Sequence, residues 1–161
     1  MENLVNKQEK EPEIELREAT ERDIPTLISL EEKVANVKTY SPMLTQEEWH
    51  AEISKNGKVY LIAKNESLVG DTSYERENDD SACISGLVII PEFQGQGLGR
   101  MAMEKVLAEL SDVKKIWLVV HPENDSAIKL YESLGFIRGE VKENYFDDGE
   151  PRMVMIKENK S

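Results

Sequence analysis

Residues Pro91–Glu109 read PEFQGQGLGRMAMEKVLAE, and Gly95, Gly97 and Gly99 alternate within five positions of that stretch. An apolar run, Ala82–Ile90, precedes them and a helical pattern follows. Glycine costs chain entropy, so a cluster of three marks a place that needs bare backbone. A glycine-rich turn running into a helix start presents outward amides and a positive dipole end, which suits a phosphate. Two familiar phosphate loops do not fit. A P-loop needs a Lys followed by Ser or Thr after its last glycine, and position 100 is Arg. A dinucleotide fingerprint needs Gly-x-Gly-x-x-Gly directly after its strand, whereas Pro91-Glu92-Phe93-Gln94 intervenes here. What remains is a pyrophosphate cradle of another fold, or a merely flexible turn.

Working outward, the patterns give one continuous series of elements. Ile14–Arg17 alternates like a strand. Thr20 and Asp23 open a helix with Pro25 in its first turn, and Ile24, Leu27, Ile28 and Val34 keep helical spacing. Asn36–Leu44 reads as a loop, and Thr45-Gln46-Glu47-Glu48 as a capping box opening a second helix through Trp49 and Ile53. Strands are expected over Val59–Lys64, Leu68–Tyr74 and Ala82–Ile90, with a polar loop at Glu75–Ser81. The run near Ile90 is apolar on both faces, as in a buried central strand. A helix over Arg100–Leu110 carries Met103, Val106, Leu107 and Leu110 as its apolar stripe. Lys115–Val120 is another buried strand. Asn124 or Asp125 caps a helix with Ala127, Leu130, Tyr131 and Leu134 on one face, which Gly135 ends. Phe136–Asn144 and Arg152–Lys157 close the chain as strands around a turn at Asp147-Asp148-Gly149. The order β-α-α-β-β-β-α-β-α-β-β mixes hairpins with parallel crossovers, so a single α+β or mixed α/β domain is expected over residues 13–158. Residues 1–12 read as a disordered polar lead.

The composition narrows the function classes. The chain has 161 residues and a formal net charge of −12. That argues against nucleic-acid binding, which wants a basic face. It suits solubility first and a cationic partner second. No apolar signal segment or membrane span is visible, and Cys83 is the single cysteine, so a cytoplasmic protein without disulfides is expected. Nothing in the sequence suggests a metal site.

Gln94-Gly95-Gln96-Gly97-Leu98-Gly99 resembles the Arg/Gln-x-x-Gly-x-Gly/Ala signature of the GNAT superfamily, the acetyl-CoA-dependent N-acetyltransferases. Asn124–Phe136 is similar to that family's second motif, Asn-x-x-Ala-x-x-Leu-Tyr-x-x-x-Gly-Phe. Ile14–Asp23 looks like its first strand and helix start, so the resemblance covers about Ile14 to Lys157. It implies a mixed sheet, partly splayed and flanked by helices. It also implies acetyl-CoA lying over Leu87, Val88 and Ile89, with its pyrophosphate on the loop from Gln94 through Gly95, Gln96, Gly97, Leu98 and Gly99 to Arg100. Asn124, Ala127 and Tyr131 would flank the pantetheine. Many members of the family form homodimers.

Acetyl transfer needs a neutral amine, a stabilised oxyanion and a protonated leaving thiolate. The resemblance places the oxyanion donor at an amide near Val88 or Ile89, and Tyr131 at the general-acid position. From the residues alone, Tyr131 also reads as core, and Asn124 as a helix cap. The base departs from the family pattern. Peptide-acetylating members often carry Glu or His in the fifth strand, where this chain has Val119. Many small-molecule members carry a carboxylate in the fourth strand, and Ile84-Ser85 supplies none. His121 lies two residues beyond Val119 on the same strand face and is the remaining candidate base. The acceptor side is expected to involve Glu31, Tyr40 and Tyr145, with Glu32, Asp147 and Asp148 nearby. The expected activity is acetyl transfer to a primary amine of a small cation, a polyamine or a peptide terminus. A non-catalytic acyl-CoA sensor of the same fold is the alternative that the missing base motivates.

Overall fold

The structure, a computed structural model, describes residues 13–159. The expected polar lead at residues 1–12 lies outside them. The elements follow the expected order: β1 (Ile14–Glu18), α1 (Ile24–Glu32), α2 (Gln46–Ser54), β2 (Gly57–Lys64), β3 (Ser67–Asn78), β4 (Ser81–Ile89), α3 (Leu98–Glu109), β5 (Lys115–Val120), α4 (Asp125–Ser133), β6 (Ile137–Lys142) and β7 (Arg152–Glu158). They build one seven-stranded sheet in the order β1-β2-β3-β4-β5-β7-β6. Every pairing is antiparallel except β4 with β5, which α3 connects as a crossover.

Local chemistry sets the helix starts. The Thr20 amide donates to Asp23 Oδ2 at 2.8 Å. At α2 the capping box is reciprocal: the Glu48 amide donates to Thr45 Oγ1 and the Thr45 amide to Glu48 Oε1. Gly135, with φ +103°, turns the chain out of α4. Two apolar layers sandwich the sheet. On one face α3 and α4 bury Met103, Val106, Ile128 and Tyr131 against Ile84, Ile116 and Leu118. On the other, α1 and α2 bury Leu27, Leu30 and Trp49 against Val59 and Leu61. Trp49 is fully buried, and its indole donates to Met43 O at 3.0 Å, so truncating it to Ala should cost about 3–5 kcal/mol.

Several expected boundaries shift by a residue or two, and β2 begins at Gly57 and β6 ends at Lys142; two shifts bear on the site. The polar segment Glu75–Ser81 is mostly strand: Glu75 pairs with Cys83 and Arg76 with Ala82, leaving only the tight turn at Asp79-Asp80. Tertiary partners outweigh the charges here, since Arg76 bonds Asp112 and Glu109 O while Trp117 donates to Glu77. Helix α3 begins at Leu98 rather than Arg100, because left-handed Gly97 is its N-cap.

The sheet is split where the site lies. β4 and β5 pair only over Ser81–Cys83 and Lys115–Trp117. Beyond that, β5 stays with β7 as far as Val120, while β4 stays with β3. A bulge helps part them, since Ser73 pairs with Gly86 and Tyr74 with Ile84, leaving Ser85 extra.

Candidate active site

A single cleft of about 1070 Å³ runs from the glycine loop, through the split, to the face covered by α1 and α2. One end is made of backbone. Gly95 and Gly97 have φ of +82° and +80°, and a Cβ on either would meet only open space. Conformation, not crowding, therefore requires glycine at both. Gly99 has no positive φ, and a Cβ there would rest at 3.7–3.8 Å from Leu130, Leu87 and Ile89. Met101 is the first residue of α3 whose amide bonds back, to Gly97 O at 3.1 Å. Among the described residues the amides from Gly95 through Arg100 have no protein acceptor. Unpaired amides on a left-handed turn at a helix start fit a pyrophosphate.

The side chains of this loop hold it in place. Gln94 Nε2 donates to Ile89 O at 2.7 Å and lies 3.4 Å from the Tyr40 hydroxyl. Gln96 accepts from Lys64 Nζ at 2.6 Å, and Arg100 reaches Ser133 on α4. Asn124 Oδ1 caps α4 by accepting the Ala127 amide at 3.3 Å, while both residues line the cleft.

Strand alternation decides which amide faces the gap. Ile90 N–H bonds Val69 O on β3. Val88, two residues back, turns its amide the same way, so Leu87 and Ile89 turn theirs into the split. Ile89 is thus the better-placed oxyanion donor of the two expected positions. Tyr131 lines the cleft beside it and is 7% exposed. Its hydroxyl has no hydrogen-bond partner among the described residues, and burial pushes its pKa above the ordinary tyrosine value, so it stays protonated at neutral pH.

The far wall is made of side chains. Glu31 on α1 and Asp71 on β3 are 4% and 2% exposed and close enough to influence each other's ionisation. Glu31 Oε1 accepts the Met43 amide at 2.8 Å, and among the described residues Asp71 Oδ2 and Glu52 Oε2 are buried with no partner. Burial raises both carboxyl pKa values, and for Asp71 the charge of Glu31 adds to the rise. Tyr40, Glu48, Glu52, Lys55, Glu75 and Glu77 continue this wall, where Lys55 Nζ pairs with Glu52 Oε1 at 3.1 Å while the acids outnumber it, and Tyr145 also lines the cleft. Burial pushes the Cys83 thiol up to about 12, so it stays protonated and unreactive.

His121 is placed differently from a free base. It is 1% exposed, its Nδ1 accepts the Glu123 amide at 3.0 Å, and its Nε2 sits 2.7 Å from Glu150 Oε1. With the Nδ1 lone pair committed to a backbone donor, Nε2 carries the proton and donates a hydrogen bond to the carboxylate, which accepts it. Asp71 is the residue that pattern reading passed over. Its signal was a lone acid at an inward strand position among small and apolar neighbours. Among the described residues no group of three or more His, Cys, Asp or Glu is placed to hold a metal. No helix among them is long and apolar enough to cross a membrane.

An amide cradle leading into a parted β4–β5 pair is the architecture of acyl-CoA-dependent transferases. The chain belongs to the acetyltransferase (GNAT) family, whose model matches residues 17–136. A ribosomal protein bS18-alanine N-acetyltransferase of Escherichia coli K12 is 28% identical over 142 residues, 83% of this chain and 89% of that protein. The crystal structure of the Escherichia coli ribosomal-protein-S18-alanine N-acetyltransferase superposes with a TM-score of 0.79 at 23% identity, covering 92% of this chain and 96% of that one. A GNAT family acetyltransferase from Elizabethkingia anophelis, solved with acetyl-CoA bound, gives a TM-score of 0.71 at 16% identity over 93% of this chain and 99% of that one.

Proposed function

We propose that this protein moves an acetyl group from acetyl-CoA directly to the α-amine of a peptide, one with a cationic N-terminal region. The observation that carries the reading is the continuity of the cleft, from unpaired amides through the split to an acidic wall. The relatives named for acetylating a ribosomal-protein alanine favour a peptide terminus over a polyamine. The acidic wall favours positive charge on the acceptor.

When bound, acetyl-CoA supplies a thioester carbon open to attack. The amides from Gly95 to Arg100 hold its pyrophosphate, and Arg100 braces the cradle against α4. The Ile89 amide stabilises negative charge developing on the carbonyl oxygen, a role worth about 3–4 kcal/mol where such donors are removed. Tyr131, protonated because it is buried, gives its proton to the departing sulfur. His121 is a positioning residue, holding Glu150 at the base of the last hairpin through its Nε2 proton.

The test is thiol release with alanine-first peptides, their N-acetylated forms, polyamines and aminoglycosides. Free-terminus peptides should turn over, with kcat/KM at least tenfold above any polyamine, and the blocked peptides should not react. Preference for polyamines would overturn the peptide reading and keep the transferase. Binding of acetyl-CoA with no turnover on any amine would favour the sensor alternative. The motive for that alternative is the missing base on the fourth and fifth strands, and the buried Glu31 and Asp71 in the cleft weigh against it.

A further inference from the structure

We infer that Asp71, paired with Glu31, is the group that receives the proton of the incoming ammonium; the inference rests on the transferase reading above. Asp71 stands directly opposite Val88 in the β3–β4 register, one residue from the Ile89 amide. Paired residues project to the same face of a sheet, so its carboxyl lies on the side of the split facing α1 and α2. That face is opposite the one where Leu87 and Ile89 pack near Gly99. An amine approaching along the acidic wall meets this carboxyl pair before it reaches the split.

The pair is built for one proton rather than two charges. Two neighbouring buried carboxyls cannot both ionise cheaply, so one bound proton leaves a net single negative charge. Glu31 is fixed by the Met43 amide, which leaves Asp71 Oδ2 as the unsatisfied acceptor. A buried acceptor with no partner is costly, and an ammonium donor satisfies it. The groups facing the pair are Glu48 and Glu52 from α2 and the Tyr40 hydroxyl, and both glutamates raise the carboxyl pKa further. The two glutamate charges oppose a second negative charge on the pair, and the single negative charge it keeps attracts the ammonium. The acceptor ammonium gives one proton to Asp71, leaving a neutral amine and an uncharged carboxyl pair. The nitrogen lone pair then forms the C–N bond, the C–S pair leaves with sulfur, and sulfur takes the Tyr131 proton. The second nitrogen proton restores Tyr131, and the pair releases its proton to water.

The test compares wild type, Asp71→Asn and Glu31→Gln, all saturated with acetyl-CoA or coenzyme A. Asp71→Asn should lower kcat/KM by about 10²–10⁴ and abolish the rising acidic limb of its pH profile. The dissociation constant for acetyl-CoA should stay within about twofold, since the donor end is untouched. Carboxyl ¹³C resonances of the wild-type protein with coenzyme A should show two linked titrations. Both should shift when alaninamide is added, and N-acetylalaninamide should leave them unmoved. Wild-type turnover with Asp71→Asn within about threefold and its pH limb intact would overturn the assignment while leaving the transferase standing. Carboxyl resonances indifferent to alaninamide would overturn it even if no variant folded. Wild-type inactivity on every amine, with resonances that do respond, would overturn the transferase reading instead and leave an amine-binding pair.

Discussion

The two ends of the cleft are built by opposite means. The donor end is backbone: contiguous amides from Gly95 to Arg100, set by two left-handed glycines and a helix start. The acceptor end is side chains brought from α1, α2 and β3, with Glu31 and Asp71 forty positions apart in the chain. Under the proposed function, backbone recognises what every coenzyme A carries, its pyrophosphate, and side chains recognise the acceptor. The same division separates geometry from titration. The amides act identically at every pH, whereas the carboxyl pair changes charge.

The sharpest way to probe the junction of the two ends is Tyr131→Phe. Losing the acid should cut kcat by about 10²–10⁴, with acetyl-CoA binding nearly unchanged. Because burial raises the Tyr131 pKa, the acid is loaded throughout the neutral range, and the defect should be equally deep at every pH there. A loss of binding equal to the loss of rate would instead make Tyr131 part of the donor end's packing.

Asp71→Asn separates the ends by stability. Both carboxyls have folded pKa values above their ordinary ones, so folding favours the protonated pair. The stability it contributes is complete below the ordinary carboxylate range and is lost as pH rises through the raised values. An amide at position 71 has no charge to bury. Asp71→Asn should therefore gain about 1–3 kcal/mol over wild type at neutral and alkaline pH, and progressively less on acidification. For a domain of this size that is about 2–4 °C of Tm per kcal/mol, readable by melting across pH. A gain independent of pH would break the claim that the pair is strained by its own charge. Activity and stability should thus move in opposite directions at this one position.

This asymmetry also explains what could be read without coordinates. The loop over Gln94–Arg100 and the Asn124–Phe136 helix announce themselves because their chemistry lies in consecutive residues. Element order was legible for the same reason, through capping boxes at Thr20 and Thr45 and the apolar stripe of α3. Glu31, Tyr40 and Tyr145 could be named as acceptor-side residues only from their place in the element order. The Asp71–Glu31 contact depends on β3 register and on the seat of α1, which no local pattern encodes. His121 misled in the other direction. It lies just past the end of β5 at Val120, and the Glu123 amide and the Glu150 carboxylate that occupy its nitrogens could not be inferred from spacing. The Glu75–Ser81 segment read as loop because its charges are solvated there by Asp112, Trp117 and Lys55, all distant in sequence.

The smallest expected effects test whether the donor end is truly conformational. Gly97 and Gly99 sit two residues apart, and both belong to the same glycine pattern. At Gly97 the φ of +80° costs an L-residue about 1–2 kcal/mol, although its Cβ would touch nothing. Gly97→Ala should therefore weaken acetyl-CoA binding about five- to thirtyfold by shifting the loop out of its cradle. At Gly99 the backbone is helical and the new Cβ finds ordinary contact distances. Alanine is also the better helix former by up to about 1 kcal/mol. Gly99→Ala should leave binding within about twofold and raise Tm slightly. Calorimetric titration of the two variants with acetyl-CoA decides between two explanations of the glycine run. If both lose affinity equally, the glycines are needed because the coenzyme presses against bare Cα atoms. If only Gly97→Ala does, the cradle is made by left-handed turns, and the third glycine is dispensable.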